Sequence, residues 1–537
     1  MPAKIYRSPF PNLEIESIDL LSYLFSNPEN TPLDRPLYID ALSEKHYTFG
    51  DVIQRTKSLS NGLKQAGILA PTSAALTAPE LNAQLITSRA RLIIAHSSLL
   101  AIAQKAVEGT FVEKVILLDG ASPINGQPTC EYLGSTFAPV PLAAIQPSEA
   151  AKKIAFICFS SGTSGPSKGV ITTHQNLTSN LQQWRAHMLD SGLPSQRVQR
   201  RTAIAFLPFS HIYGLNLFMC QCLVWGTSVV VMPKFDLDTY LGCVQKYRPD
   251  ELALVPPIAL MIVKDERTSK YDLTSVKRIM SAAAPLTNEL ASALEAKFRK
   301  VWKTEVFCTQ SWGLTETSPM ATAIPNDRMD KRDSGVGCIT YNMEFRFVDP
   351  DTMEDAAINP DGSTKPAEIW CRGPNVTQGY YNNEEATNSA FYVDTDGTRW
   401  FRTGDIATMD KEGYIAIQDR IKEMIKYKGL QVIPSELEGK LIDHPDIEDA
   451  GVVGVWVEDR ATELPLAFVV LSRQAKGRDL KTVLDGVHSW LNTKIANHKR
   501  LRGGIRVVDQ IPKSPSGKIL RRQLKELLKN TKPMAKL

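Results

Sequence analysis

Between residues 154 and 310, short apolar runs rich in β-branched residues alternate with segments of helical periodicity, and this alternation sets the narrowest bound on the fold. The clearest runs are 154–159, 203–207, 228–232, 252–255, 275–280 and 305–308. Runs that are apolar on both faces need a sheet covered on both sides, so they predict βαβ units and a mostly parallel sheet. From about Asn342 the pattern changes to short strands divided by Asp361-Gly362, Asp396-Gly397 and Glu412-Gly413, which predicts a smaller β-rich subdomain. A turn-rich stretch, 419–438, leads into a terminal unit in which apolar positions 480, 483, 484, 487, 490, 491 and 495 give an amphipathic helix. The fold class expected is α/β: a large N-terminal domain, 1–421, of mostly parallel sheets with helices plus a β-rich subdomain, and a small α+β C-terminal domain, 422–537.

The chain has 537 residues and a formal net charge of +4, too long for one core and too mildly charged for a nucleic-acid protein. Its charge is uneven: from Lys494 to Lys536 thirteen Lys or Arg face only Asp509 and Glu526, so this end carries +11 and the rest is net acidic. Such an end suits phosphate ligands or is a solvated helix face. Eight scattered cysteines form no C-x-x-C pair and read as buried thiols in a reducing compartment. The start lacks the apolar core of a signal peptide, and the most apolar stretch, 215–232, is broken by Asn216, Gln221, Gly226 and Thr227, so no membrane span is expected.

The segment FSSGTSGPSKGV, 159–170, follows an apolar strand and precedes a helical stretch from Thr173. Its free N–H groups, hydroxyls and Lys168 suit phosphate oxygens, which predicts a nucleotide triphosphate site. The spacing is not that of a Walker loop, because Gly169 stands where that motif needs a hydroxyl. A glycine-rich surface turn is the plainer alternative. The last residues, Ala535, Lys536 and Leu537, have the small-basic-Leu form of a peroxisomal address, which predicts the peroxisome, with a cytoplasmic location as the alternative.

Five motifs stand in order: SSGTSGPSKG (160–169), SWGLTET (311–317), FRTGD (401–405), DRIKEMIKYKG (419–429) and PKSPSGK (512–518). This set resembles the acyl-adenylate-forming (AMP-binding) superfamily, most closely its 4-coumarate-CoA ligase and luciferase-like acyl-CoA ligases, from about Leu37 to Leu528. The resemblance implies a carboxylate activated in two steps: acid plus ATP-Mg gives acyl-AMP and pyrophosphate, then coenzyme A displaces AMP. Screening the attacking carboxylate from the triphosphate calls for cations and aimed N–H donors.

By that resemblance, Ser160, Ser161, Gly162, Thr163, Ser164, Gly165 and Lys168 hold the β and γ phosphates, Thr315 the α phosphate, and Glu316 the Mg2+. Asp405, with four lone-pair sites, accepts the ribose hydroxyls, and Arg420 contacts ribose or phosphate. Trp312 falls where relatives often carry Tyr and is expected to stack on adenine. Ala282 and Ala283 form another wall, in a run that elsewhere would be an ordinary helix end. His211, Tyr213, Ser281, Ala282 and Met320 are expected around the acyl group, with His211 closing the tunnel, although a lone His beside aromatics is more often a packed core residue. Lys518 is the adenylation lysine. The small domain is expected to turn about Lys422, withdrawing Lys518 and presenting Lys426 and Gln431 to the thioester step.

One departure stands out. Relatives run from a GLKQAGI-like motif through a strand, loop and helix before an APTSAALTAPEL-like segment, whereas here Gly67 to Pro71 are contiguous, so roughly 30 residues, one strand plus one helix, are absent. Either the chain is a misread or alternatively spliced product, or the sheet has closed over the gap.

The expected activity is an acyl-CoA ligase for an aryl or medium-chain acid, with ATP, Mg2+ and coenzyme A, no nucleic-acid partner, and the peroxisomal import receptor reading the tail. The alternatives are an adenylating enzyme that loads a carrier protein, a luciferase-like oxidase, and a non-catalytic nucleotide-binding paralogue. Analogy places such a ligase in fatty-acid activation or secondary metabolism, including fungal pathways.

Overall fold

In the computed structural model the described residues are 3–63, 67–124, 126–142, 144–160, 167–190, 201–325, 328, 331, 335–428, 430–460, 462–514 and 517–530. Three parallel strands, Glu251–Leu254, Arg278–Ser281 and Phe307–Gln310, lie side by side in register, with Leu254, Ser281 and Gln310 at their carboxyl ends. Helices Leu237–Tyr247, Pro256–Lys264 and Asn288–Lys297 bury Leu241, Ile262 and Leu294 in the same core as Leu254 and Ile279. A second group pairs Pro36–Asp40, Ser228–Val231 and Thr202–Ala205 in parallel, with His46–Thr48 antiparallel at the edge.

Two of the expected strands begin later than periodicity predicts. The 275–280 and 305–308 runs form strands at Arg278–Ser281 and Phe307–Gln310, because each starts where it meets its parallel neighbour at Glu251 and Arg278. The preceding apolar residues Leu273 and Val276 are buried in a turn instead.

The β-rich subdomain is an antiparallel sheet in the order Tyr6–Arg7, Glu344–Val348, Ala367–Arg372, Arg399–Met409, Phe391–Val393, with Ile415–Arg420 also paired to the 399–409 strand. Gly397 and Gly413 turn its hairpins at φ of 82° and 91°, a region that suits glycine. The strand at Tyr6–Arg7 carries no sequence signal long enough to read.

In the C-terminal unit, helices Pro434–Ile442 and Leu480–Asn492 pack on the strands Ile447–Val457, Thr462–Leu471 and Gly504–Val507. The predicted amphipathic helix buries Val483, Leu484, Val487 and Leu491. Ile495 lies beyond its end and packs on the same core from the following turn. This unit rests on the 256–289 region, where Lys440 pairs with Glu289 at 3.0 Å and the Lys264 ammonium donates to the Ile447 carbonyl at 3.1 Å. The expected boundary residue, Lys422, falls in the turn after the Ile415–Arg420 strand.

Around Ala70 the chain passes from helix Phe49–Leu63 to helix Ala78–Ser88 with a single described bridging residue, Leu69, laid parallel to the Ile154–Ser160 strand. Leu69 donates to the Ala155 carbonyl at 3.2 Å and accepts from the Ile157 amide at 2.8 Å. Nearby, Leu92–Ala95 and Lys114–Leu117 form a parallel pair joined to no other described strand. Ile68, Leu69, Ile94 and Leu118 are exposed there. No described helix is long and apolar enough to cross a membrane.

Candidate active site

A cavity of about 460 Å³ opens at the carboxyl ends of the parallel strands, where ligands of open α/β sheets bind. Past Ser281 the chain supplies Ala282 and Ala283 to its wall, the latter at φ of 72°; past Gln310 it supplies Ser311 to Glu316. The Ile154–Ser160 and Lys168–Thr173 hairpin brings in Ser160 and Lys168. Ser161, Gly162, Thr163, Ser164 and Gly165 lie outside the described residues. Arg420, Lys422 and Lys518 close the cavity from the side of the C-terminal unit. One space thus collects residues of all five motifs, among them Ser160, Lys168, Thr315, Glu316, Thr403, Arg420 and Lys518.

Glu316 is held at the wall by the Tyr380 hydroxyl, which donates to its Oε1 at 2.9 Å, while the Lys168 ammonium sits 4.7 Å from the Tyr380 ring centre. Burial, and then the Glu316 charge, push the Tyr380 phenol well above its ordinary value. Glu316 keeps a second oxygen, which suits one carboxylate contact to a hard cation whose remaining partners are phosphate oxygens and water.

Asp405, the last residue of the FRTGD motif, is buried behind this wall and does not itself line the cavity. Trp312 Nε1 donates to its Oδ2 at 2.9 Å and Arg420 Nε pairs with its Oδ1 at 3.0 Å. A carboxylate of four lone-pair sites thereby retains two. The Trp312 indole N–H binds this carboxylate, while the ring lines the cavity. The Arg420 guanidinium is held charged, chiefly by Asp405.

The other arm of the cavity is bounded by Trp184, His211, Tyr213, Met280, Ala282 and Met320. His211 also caps the Ile212–Gly214 helix by accepting from the Tyr213 amide, so its packed and cavity-facing roles coexist. Burial lowers its pKa and favours the neutral imidazole. The Tyr213 hydroxyl is buried with no hydrogen-bond partner among the described residues.

Ser281 departs from expectation: it is the buried last residue of its strand, paired between Leu254 and Gln310, and does not reach the cavity. Lys426 lies away from the cavity, exposed on the Ile425–Tyr427 and Leu430–Val432 hairpin, with Gln431 opposite it in register.

Lys518 is the most perturbed cation at the site. Burial and the adjacent Arg420 bring its pKa down to about 8, against the opposing pull of Glu423 and Asp405. Its Nζ lies 3.7 Å from Glu423 Oε1. Sequence reasoning did not single out Trp184, Glu368, Tyr380, Arg402 or Glu423, although Arg402 and Glu423 stand within quoted motifs; Trp184 and Tyr380 reach the cavity only through tertiary packing.

Two family profiles match: AMP-binding enzyme over residues 64–381 and AMP-binding enzyme C-terminal domain over 436–518. A probable 4-coumarate–CoA ligase of Dictyostelium discoideum is 33% identical, the match covering 97% of each chain. The chain belongs to the AMP-binding enzyme family. As a member it is an acid–thiol ligase that uses ATP to join a carboxylic acid to coenzyme A by way of acyl-AMP. A 4-coumarate–CoA ligase of Solanum tuberosum is likewise 33% identical, over 98% of this chain and 96% of that one. The Dictyostelium alignment runs over 566 positions against 537 residues here, so at least 29 positions of that relative have no counterpart in this AMP-binding enzyme. The same fold occurs in the anthranilate CoA ligase AuaEII in complex with anthranoyl-AMP, at a TM-score of 0.81 and 21% identity over 96% of this chain and 98% of that one. It recurs in a benzoate CoA ligase of Burkholderia xenovorans, at a TM-score of 0.77 and 22% identity over 94% and 99%.

Proposed function

We propose that this AMP-binding enzyme activates an aryl or medium-chain carboxylic acid seated between Trp184, His211, Tyr213, Met280 and Met320. The observation that carries this reading is the continuity of that aromatic and thioether-lined arm with the Thr315, Arg420 and Lys518 end of one cavity. An aryl acid suits it best, because the Trp184 and Tyr213 side chains bound this arm. The relatives named for 4-coumarate support the aryl choice.

In the first step a carboxylate oxygen attacks the α phosphorus and pyrophosphate leaves. Lys168 and the Ser160 loop hold the outer phosphates, Thr315 the α phosphate, and Lys518 spans the incoming carboxylate and the α phosphate. Trp312 stacks on adenine, with Ala283 on the opposite wall, and Asp405, instead of meeting the ribose directly as expected, holds Trp312 and Arg420 in place from behind that wall. Mg2+ bound through Glu316 would supply charge neutralisation at the phosphates. In the second step the thiol sulfur attacks the acyl carbonyl and AMP leaves, with Lys426 and Gln431 brought in by rotation of residues 422–537 about Lys422. The Ala535–Leu537 tail lies outside the described residues; as a free terminus it would be read by the peroxisomal import receptor and send the enzyme to the peroxisome, for fatty-acid activation or secondary metabolism.

The test is coenzyme A-dependent AMP release from ATP across aryl, medium-chain and long-chain acids, repeated with and without Mg2+. Turnover confined to aryl or medium-chain acids is expected. Turnover with long-chain acids alone would overturn the substrate assignment.

A further inference from the structure

Lys518 reaches the cavity from a short loop, and a four-carbon side chain on a loop does not aim itself. Its neighbourhood is asymmetric. Glu423, one residue past Lys422, has a side chain only 8% exposed, and its two oxygens are divided: Oε1 lies 3.7 Å from Lys518 Nζ, and Oε2 accepts from Arg521 Nη1 at 2.6 Å. Arg521 is itself immobilised. Its Nη2 donates to both oxygens of Glu438 at 2.8 and 2.9 Å, and its Nε donates to the Val452 carbonyl at 3.2 Å. Glu438 in turn accepts from the Val452 amide at 2.8 Å, which ties the group to the Ile447–Val457 strand at the edge of the C-terminal sheet.

We propose that Glu423 is a positioning residue for adenylation: its carboxylate, fixed by Arg521, aims the Lys518 ammonium into the cavity and balances its charge there. The inference rests on the ligase reading above and adds to it a residue that touches neither acid nor nucleotide. Lys518 faces two cations, Arg420 and Arg521, and two carboxylates, Glu423 and Asp405. Asp405 is already engaged by Arg420 and Trp312, and Arg521 is surrounded by Glu438, Glu423 and Asp419. Glu423 is therefore the carboxylate whose free oxygen is directed at Lys518. Without it, a half-desolvated ammonium beside Arg420 would lose its proton at lower pH and its preferred direction. An uncharged amine does not stabilise the charge that develops on the α phosphate.

The test uses the full chain and the variants Glu423→Gln and Glu423→Asp, with two readouts. The first is the pH dependence of Lys518 acylation in the ligand-free protein, read by mass spectrometry with a small anhydride as probe. In Glu423→Gln the midpoint is expected to fall below the wild-type value near 8, and in Glu423→Asp to stay close to it. The second is acid-dependent ATP–pyrophosphate exchange, set against thioester formation from preformed acyl-AMP. Exchange by Glu423→Gln is expected to drop about tenfold at alkaline pH, with a smaller loss near neutrality, since a shift of about one pH unit removes that fraction of charged lysine. Thioester formation is expected to hold. An unchanged Lys518 profile would overturn the proposal, as would an equal loss in both half-reactions at every pH, which marks a purely structural role. A shifted Lys518 profile in Glu423→Gln, together with wild-type protein that shows no acid-dependent exchange, would keep the positioning role and refute the ligase reading.

Discussion

Ile279 and Ile94 occupy similar strands in two unequal parts of the molecule. Ile279 is the second residue of a parallel strand paired on both sides, in a core shared with three helices, and is fully buried. Ile94 sits in a two-stranded parallel pair and remains 37% exposed. A parallel sheet is ordinarily covered on both faces, so the second region is short of partners. Residues proposed for the acid and the chemistry come from the Ile154–Ser160 and Lys168–Thr173 hairpin, the helix that follows it, the 211–213 turn, the 278–320 stretch, the 399–420 strands and the C-terminal unit; none comes from 64–118. The contrast teaches that a segment can be thinned at a cost to stability while the reacting groups keep their supports.

The largest expected effect tests the well-supported side. Lys518→Ala is expected to lower acid-dependent ATP–pyrophosphate exchange by about 10² to 10³-fold, the loss typical of one donor to developing charge, with little change in Tm. An equally large fall in Tm would show that the lysine supports the fold instead. The comparison itself is broken or kept by a pair of variants in chemical denaturation. Ile279→Ala is expected to cost about 2–5 kcal/mol and Ile94→Ala under about 1 kcal/mol. Equal costs would mean that the 64–118 region is packed as tightly as the central sheet.

A pH series sharpens it further. His187, buried in the Trp184 helix, has a pKa lowered to about 4, chiefly by burial and then by Arg278. A base with a depressed folded pKa contributes stability that is present above its ordinary value near 6.5 and is lost as pH falls through about 4. The unfolding free energy from urea titration is therefore expected to decline across that window, by up to about 3 kcal/mol, and His187→Gln is expected to flatten the decline. The smallest effect concerns Trp312→Phe, which keeps a ring but removes the N–H donated to Asp405. It is expected to raise KM for ATP several-fold, about 1 kcal/mol, with kcat held. A fall in kcat without a KM change would place Trp312 in the chemical step.

Much of the architecture was legible because its signals are local. Gly397 and Gly413 mark hairpins by backbone conformation alone, and Val483, Leu484, Val487 and Leu491 mark a buried helical face by spacing. Strand starts at Arg278 and Phe307 were not legible, since parallel pairing sets them from a distant neighbour. The site divides in the same way. Motif order identified Lys168, Thr315, Glu316, Arg420 and Lys518, which converge on one cavity. Ser281 was misplaced because side-chain direction at a strand end depends on the sheet around it.

By itself, then, the sequence determined the alternating α/β plan, the adenylate-forming motifs and the region around Ala70 where the plan is cut short, because periodicity, turn chemistry and motif spacing are written along the chain. Only tertiary structure decided that Trp312 and Arg420 share the oxygens of Asp405, that Trp184 and Tyr380 reach the cavity, and that Glu423 stands between Lys518 and Arg521. Those contacts join residues as far as 98 positions apart, and the desolvation and pairing that give each charge its role exist only once they are packed together.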